Sequence, residues 1–314
     1  MLRFVAMRLV GGLPLLFVVS LFIFVLIDLA PGDAAAVVAG ENASIERIAQ
    51  VRQELGLNDP LLIRYGRWLS AALQGDLGKS LTTDQSVLSA IGQKLPVTAS
   101  LTLVALVFAV TMALTFGILA SLKPGGVSDR TVTMLASAAV AAPPFWLALV
   151  LVLVFSLNLR LLPALGYRPI GEEGTWIWLK HLILPGIALG TSLAAELALQ
   201  LKGSLTEVLG RDYILAARAK GMPRVVIVGK HALKNAAIPV VTVLGYRFTQ
   251  MLGGAVLVEV PFNLPGLGTL AIDSTLAHDV PTLLGLVVLM TAFVIVTNLL
   301  VDVSYGYFNP KVRS

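Results

Sequence analysis

The side chains that most often perform chemistry in proteins are few in this sequence and lie far apart. The chain has no cysteine, which excludes disulfides and cysteine-ligated metals, and its 3 histidines (His181, His231 and His278) lie in different polar segments. Metal centres and active sites need several such groups close together. The sequence has no HExxH motif, serine elbow or cluster of catalytic carboxylates. We therefore expect no enzymatic activity, no metal site and no cofactor in this chain.

Two glycine-containing stretches match parts of nucleotide-binding motifs, but neither has the required context. The Gly-Lys-Ser sequence at 78–80 matches the end of a phosphate-binding loop, whose first glycine would have to stand at the position of Leu73. The Gly-x-Gly-x-x-Ala sequence at 266–271 matches a dinucleotide fingerprint. It lies between two apolar segments and not in a strand–turn–helix unit. We expect no nucleotide to bind at either stretch.

Polar side chains inside otherwise apolar segments are a second chemical feature. Glu196 and Gln200 lie in one such segment, and Arg247 and Gln250 lie in the next. A charge at membrane depth costs at least ~2.5 kcal/mol on insertion scales, so each should face a partner or a wet cavity. Glu196 and Arg247 could form an ion pair, or Arg247 could contact a carboxylate of a ligand. Reversing both charges together would separate these two alternatives.

The elements that carry these residues are predicted to be membrane-spanning helices. The composition is 57% hydrophobic and 13% charged, whereas soluble proteins average about 25% charged residues. Six apolar segments are long enough to cross a bilayer, at 9–29, 97–122, 131–157, 182–201, 236–260 and 281–303. The sequence thus predicts an all-α membrane protein with six transmembrane helices. We expect a kink in the third, at Pro143-Pro144.

The basic residues predict the sidedness of these segments. Arg3 and Arg8 precede the first apolar segment, which is longer than the hydrophobic region of a signal peptide. Short loops rich in Lys and Arg should be cytoplasmic, and the net charge of +5 follows this rule, so it does not indicate a nucleic-acid partner. Both termini should therefore be cytoplasmic. The predicted regions are 1–30 with the first span, an extracytoplasmic insertion at 31–96, a transmembrane core at 97–303 and a cytoplasmic tail at 304–314.

The insertion at 31–96 should itself be helical. Ser44 is placed to cap a helix that reaches about Leu55, before Gly56, and a second helix is predicted over 61–73. We expect a small folded cap after the first span.

The longest polar interruption in the C-terminal two-thirds of the chain runs from Lys202 to Pro239, and its part at 202–235 is the predicted cytoplasmic loop. It carries seven lysines and arginines against two acids. Ser204 and Glu207 stand at capping-box spacing, which favours a helix that starts near Leu205 and continues to Lys220, with Ala216 on its apolar stripe. Gly221 is predicted to end it in a left-handed conformation. This helix could rest on lipid headgroups, or its small residues could allow close docking of another protein.

A resemblance favours docking. Leu215-Ala216-Ala217 followed by Gly221 resembles the EAA loop of ABC-importer permeases, with Leu215 in place of an acidic residue. The sequences at 217–221 (Ala-Arg-Ala-Lys-Gly) and 231–235 (His-x-Leu-Lys-Asn) are similar to the dipeptide/oligopeptide/nickel branch. Further similarity occurs at 31–33, 56–60, 75–80, 253–259, 262–268, 298–302 and 309–313. The resemblance covers nearly the whole chain and indicates a B-type subunit.

The resemblance implies an ABC type I importer permease in the bacterial inner membrane. Its partners would be a homologous second permease, two ABC ATPase subunits that use ATP and Mg, and an extracytoplasmic solute-binding protein. The substrate would be a di- or oligopeptide, with nickel or another small solute as the alternative. A self-contained secondary transporter is the rival of a different class, since Glu196 could serve as a proton or sodium site. A channel is a more distant rival.

Two sets of site residues are predicted, the first implied by the resemblance and the second by the polar side chains at membrane depth. The ATPase-coupling residues would be Tyr213, Ala216, Ala217, Arg218, Lys220, Gly221 and Met222. The candidate translocation path would comprise Glu196, Gln200, Tyr246, Arg247, Gln250 and Met251.

Overall fold

The computed structural model describes residues 2–29, 32–40 and 42–308, with the backbone alone for 2–9 and 300–308. Within these residues the regular structure is helical, apart from one isolated β-bridge between Lys79 and Ser86. The α-helices are α1 (Leu2–Leu29), α2 (Ala34–Ala39), α3 (Ile45–Glu54), α4 (Leu61–Leu73), α5 (Val87–Ser121), α6 (Val127–Ala141), α7 (Pro144–Leu151), α8 (Thr175–Leu209), α9 (Asp212–Ala219), α10 (Arg224–Val226), α11 (Leu233–Gly254), α12 (Val256–Glu259), α13 (Leu267–Leu276) and α14 (Val280–Phe308). Two π-helical segments, Val152–Asn158 and Ile227–Ala232, extend α7 and join α10 to α11. The all-α class predicted from the sequence is confirmed.

Five of the described helical stretches are long and apolar enough to cross a membrane, and a bent helix pair raises the number to six. The five stretches are 10–29, 87–121, 175–209, 224–254 and 280–299. The bent pair consists of α6 and of α7 with its π-helical extension. The axes of the two parts are bent by 105° relative to each other. The third span predicted over 131–157 is thus broken at Pro143-Pro144, and its two parts are bent by 105°, more sharply than the predicted kink. Ala142 precedes two prolines and takes an extended conformation, which ends α6 there.

The start of the basic segment also differs from the sequence prediction. Ser204 and Glu207 do not begin a helix, because α8 runs without a break from Thr175 to Leu209. The capping-box spacing has no effect there, since the preceding turns of α8 already supply helical carbonyl acceptors. The helix ends only at Gly210, and α9 starts afresh at Asp212.

Contacts within the chain divide it into two units, which are described separately below. The first unit comprises the described residues of 1–96 and 265–299, and the second comprises those of 97–264 and 300–314.

In the first unit, the helices of the insertion pack on α1 and on the start of α14. The helices predicted after Ser44 and over 61–73 are both present, and the Ser44 hydroxyl accepts a hydrogen bond from the Arg47 amide. Tyr65 of α4 is 4% exposed, lies edge-on to two phenylalanine rings of α1 and hydrogen-bonds Ser20. Asp279 accepts hydrogen bonds from Ser80 and from the amide of Leu81. These contacts fix the insertion to the two span helices of its own unit.

In the second unit, α8 lies at the centre and contacts α6, α7 and α11. Its glycines allow another helix to come close. A Cβ built at Gly190 would lie 2.6 Å from the carbonyl oxygen of Ala105 in α5, and one at Gly186 would lie 2.6 Å from Val104. Small residues at such positions let helix backbones pack tightly where no hydrophobic effect drives association. The second unit thus holds α5 against α8, which carries Glu196 and leads into the basic segment.

Candidate functional site

The first candidate site is the short helix α9 together with the turn that follows it. Arg211 has an extended backbone, so the chain changes direction between α8 and α9. Gly221 then takes a left-handed φ of +74°. The amides of Gly221 and Met222 donate to the carbonyls of Arg218 and Ala217, which is the Schellman pattern of helix termination. The stop signal predicted at Gly221 is therefore present with the conformation expected of it.

One side of α9 is fixed in a hydrophobic cluster. Ile214 is fully buried, and Ala217 packs beside it. The cluster also contains the last turns of α8 and the π-helical segment 227–232, through Leu205, Leu209 and Ile227. The position of α9 is thus set by both of the helices that it connects.

The opposite side of α9 is open to solvent and combines small with apolar residues. Tyr213, Leu215 and Met222 are 42%, 50% and 38% exposed, and Ala216 is exposed beside them. The prediction that Ala216 belongs to the buried stripe is wrong. That prediction assumed one helix from Leu205 to Lys220, whereas the break at 210–211 resets the helical register.

Polar contacts hold α9 and α10 against their surroundings. The Tyr213 hydroxyl accepts a hydrogen bond of 2.9 Å from the Asn235 amide and lies 3.4 Å from the carbonyl of His231. Arg224 donates to the carbonyl of Leu122, in the turn between α5 and α6. Sequence reasoning did not single out Asn235 or Arg224 as site residues. No local sequence signal exists for either residue, because Asn235 contacts Tyr213, 22 positions away, and Arg224 contacts Leu122, 102 positions away.

A second polar cluster ties α8 to the start of α6. Lys202 forms an ion pair with Asp129 and donates to the Thr133 hydroxyl at 2.8 Å. Asp129 also accepts a 2.8 Å hydrogen bond from the amide of Gly125. This cluster and the contact of Arg224 lie on either side of the same α5–α6 turn. The turn and the start of α6 are therefore attached to the basic segment both before and after α9.

The second candidate site is an open cavity of about 550 Å³ between α8 and α11. It is lined by Glu196, Leu199, Gln200, Thr242, Val243, Tyr246 and Arg247. Four of the six residues of the candidate translocation path therefore share one cavity, and Gln250 adjoins it through Arg247. Met251 is not among them, because it is 6% exposed and belongs to the main hydrophobic core of the second unit.

The charged groups of this cavity are paired. The Nε of Arg247 contacts the carboxylate of Glu196, and its Nη1 donates to Gln250 at 2.5 Å. The guanidinium carbon also lies 5.8 Å from the ring centroid of Tyr246. The Glu196 and Arg247 side chains remain 18% and 38% exposed. The two opposite charges thus neutralise each other, while both side chains stay accessible from the cavity.

Comparisons with known proteins identify the family of this chain. Residues 113–314 match the family model described as binding-protein-dependent transport system inner membrane component, and residues 1–102 match the model of its N-terminal region. The chain belongs to this family. It is thus the permease of a transport system, a multi-pass protein of the inner membrane and a transport subunit, not an enzyme.

Relatives cover the permease from end to end. It is 38% identical to the probable peptide ABC transporter permease protein y4tP of Sinorhizobium fredii, over 99% of each chain. It is also 38% identical to the glutathione transport system permease protein GsiC of Escherichia coli K12, over 100% of this chain and 99% of that one. The family resemblance noted in the sequence is confirmed.

A solved structure shares the fold. The permease aligns with a chain from the inward-facing MetNI methionine ABC transporter with a TM-score of 0.58, over 70% of this chain and 96% of that chain. The identity is 18%, so this likeness concerns the fold alone.

Proposed function

We propose that this permease forms half of the translocation pathway of an ATP-driven importer for di- or oligopeptides. Its partners are a homologous second permease, two cytoplasmic ATPases that use ATP and Mg, and an extracytoplasmic solute-binding protein. Support for a peptide substrate comes from relatives named for peptide and glutathione transport that match the whole chain. The metal and cofactor chemistry belongs to the ATPases.

The observation that carries the proposal is the two-sided construction of α9. Its buried side, through Ile214, is anchored to the helices on either side of it, and its exposed side presents Ala216, Gly221 and Met222. A rigid, small surface lets the groove of an ATPase approach closely, while Arg218 and Lys220 supply polar contacts. A shift of the ATPase is then passed to α8 and α11. The coupling is as large as the difference between the docked contacts in the two states.

The proposal also assigns sides of the membrane. The segment at 202–235 and both termini are cytoplasmic, and the insertion at 31–96 is extracytoplasmic. The basic composition of the segment at 202–235 supports this orientation. The cavity with Glu196 and Arg247 then lies along the pathway, between the two helices that flank the segment at 202–235.

The substitution Gly221→Leu tests the docking surface. No atom lies within 4 Å of a Cβ built at Gly221, so the protein's own packing leaves room for a side chain, although the left-handed φ does not suit leucine. A leucine should cost about 1–2 kcal/mol of local strain and also project into the docked partner. We expect the ATPase to co-purify poorly and ATP-driven uptake to be lost, with membrane insertion unchanged.

Two control variants separate these effects. Gly221→Asn retains a residue that tolerates the left-handed conformation and should keep part of the uptake. Gly229→Leu changes another exposed glycine of the same segment, with open space around it and an ordinary φ, and should keep most of the uptake. Normal ATP-driven uptake by Gly221→Leu would show that the docking surface lies elsewhere.

A further inference from the structure

We propose that Glu196 and Arg247 form a subsite for the charged termini of a short peptide, with Arg247 binding its carboxylate and Glu196 its ammonium group. This inference rests on the proposed function, since it places a peptide in the pathway. It names the residues that hold the peptide and the chemical groups of the peptide that they bind.

The pair has bonding capacity left for a ligand. A guanidinium has five N–H donors and a carboxylate has about four acceptor positions. Within the part of the chain that the structure describes, the acceptors of Arg247 are Glu196 and Gln250, and the charged partner of Glu196 is Arg247. Neither group is saturated, and both are reached from the cavity. A zwitterion can therefore bind to both without breaking the ion pair.

The surrounding helix face is unsuited to lipid. Thr242, Tyr246 and Gln250 follow one another at intervals of one helical turn on α11, and all three are exposed. Polar side chains at membrane depth normally face protein or water, because burial in hydrocarbon leaves their hydrogen bonds unmade. The exposed face of α11 next to the ion pair therefore borders a wet path or a partner that lines one.

The contact between Glu196 and Arg247 limits the length of the ligand. Since the two charges touch, only a molecule whose own opposite charges lie close together can satisfy both at once. An extended chain spans up to ~3.3–3.6 Å per residue, so a dipeptide fits this condition and a pentapeptide does not. We expect di- and tripeptides with free termini to bind better than longer ones.

The test measures binding of radiolabelled dialanine to the complete transporter, with both permeases and both ATPases, in nanodiscs without the solute-binding protein. Competitors are unlabelled dialanine, its C-terminal amide, its N-acetyl derivative and pentaalanine. Each lost charge contact of about 1.4 kcal/mol corresponds to about a tenfold change in affinity. We expect saturable binding, with each blocked or lengthened competitor about tenfold weaker than dialanine.

Two variants assign the contacts by a double-mutant cycle, in which one change is made in the protein and the other in the ligand. Arg247→Gln should abolish the preference for dialanine over its amide while keeping the preference over the N-acetyl form. Glu196→Gln should show the reverse pattern. Glu207→Gln is the matched control, because Glu207 lies on the same helix and also pairs with an arginine, Arg211, but both side chains are exposed. It should leave both preferences unchanged.

Several outcomes would overturn the subsite. They are the absence of saturable dialanine binding to the wild-type transporter, equal competition by the blocked peptides, or variants that weaken free and blocked peptides equally. The wild-type competition series decides the question even if a variant fails to assemble. Failure here with ATP-driven peptide uptake still dependent on Gly221 would remove the subsite alone and leave the proposed function standing.

Discussion

At the scale of single residues, the proposed docking segment (202–235) depends on contacts that connect its short helix α9 to the following span. The hydroxyl of Tyr213 is held by Asn235 across a gap of 22 positions in the sequence. Such a contact cannot be predicted from a helical pattern, because it depends on where the chain turns at Gly210 and Gly221. The ring of Tyr213 is half exposed, so the same residue belongs to the proposed docking surface and to the hydrogen bonds that hold α9 in place.

The role of the hydrogen bond between Tyr213 and Asn235 in holding α9 can be tested with Tyr213→Phe and Asn235→Ala. Each removes a hydrogen bond worth about 0.5–1.5 kcal/mol while leaving the buried Ile214 in place. We expect the ATPases to remain bound but transport per ATP hydrolysed to fall several-fold, because α9 is held less firmly. The measurement is uptake and phosphate release in the same proteoliposomes.

The double variant of Tyr213 and Asn235 completes this test. Because the two side chains share one contact, its effect should be close to that of either single variant. Fully additive losses would show that the residues act independently, and an unchanged ratio of uptake to hydrolysis would remove their positioning role.

At the scale of elements, the sequence predicted which segments are helical better than it predicted where helices end. The apolar runs and the insertion helices followed local composition, so they were predictable. The bend of 105° between α6 and α7 was underestimated, because a proline pair permits either a kink or a complete break. The unbroken α8 was missed because local capping signals at Ser204 compete with helix continuation.

The close contact between α5 and α8 gives a prediction at this scale. In Gly190→Leu the new Cβ would lie 2.6 Å from the carbonyl oxygen of Ala105, and backbone atoms cannot move aside cheaply. We expect the two helices to separate and the amount of assembled permease to fall sharply. Gly203→Leu, on the same helix with open space around the glycine, is the control. Fluorescence-detected size exclusion of membrane extracts measures both, and equal assembly of the two variants would contradict the close packing.

At the scale of the whole molecule, composition predicted the membrane class and the motif resemblance predicted the family, but the grouping of the spans needed three-dimensional contacts. The last span groups with the first span and the insertion, although more than 180 residues separate them in the sequence. The sequence predicted only some of the residues that line the candidate cavity. Its charged members were visible in the sequence as polar residues in apolar segments, whereas the burial of Met251 depends on the packing of α11 against the core.

The orientation in the membrane can be measured directly, because the chain has no cysteine to remove. Single cysteines placed at Thr83 and Lys220 are both at exposed positions. We expect a membrane-impermeant maleimide to label Thr83→Cys in intact spheroplasts and Lys220→Cys only after the membrane is opened. This result follows from the basic residues at 202–235, which favour the cytoplasmic side. The opposite labelling pattern would place the docking helix outside the cell and refute the proposed function.

The turn between α5 and α6 has a consequence for how movement spreads through the protein. Asp129 binds Lys202 before α9, and the carbonyl of Leu122 binds Arg224 after it. Any rigid displacement of the basic segment at 202–235 would therefore pull on α6 as well as on α8 and α11. On the proposal that an ATPase docks on α9, its movement would reach three helices, α6, α8 and α11, through a single contact surface.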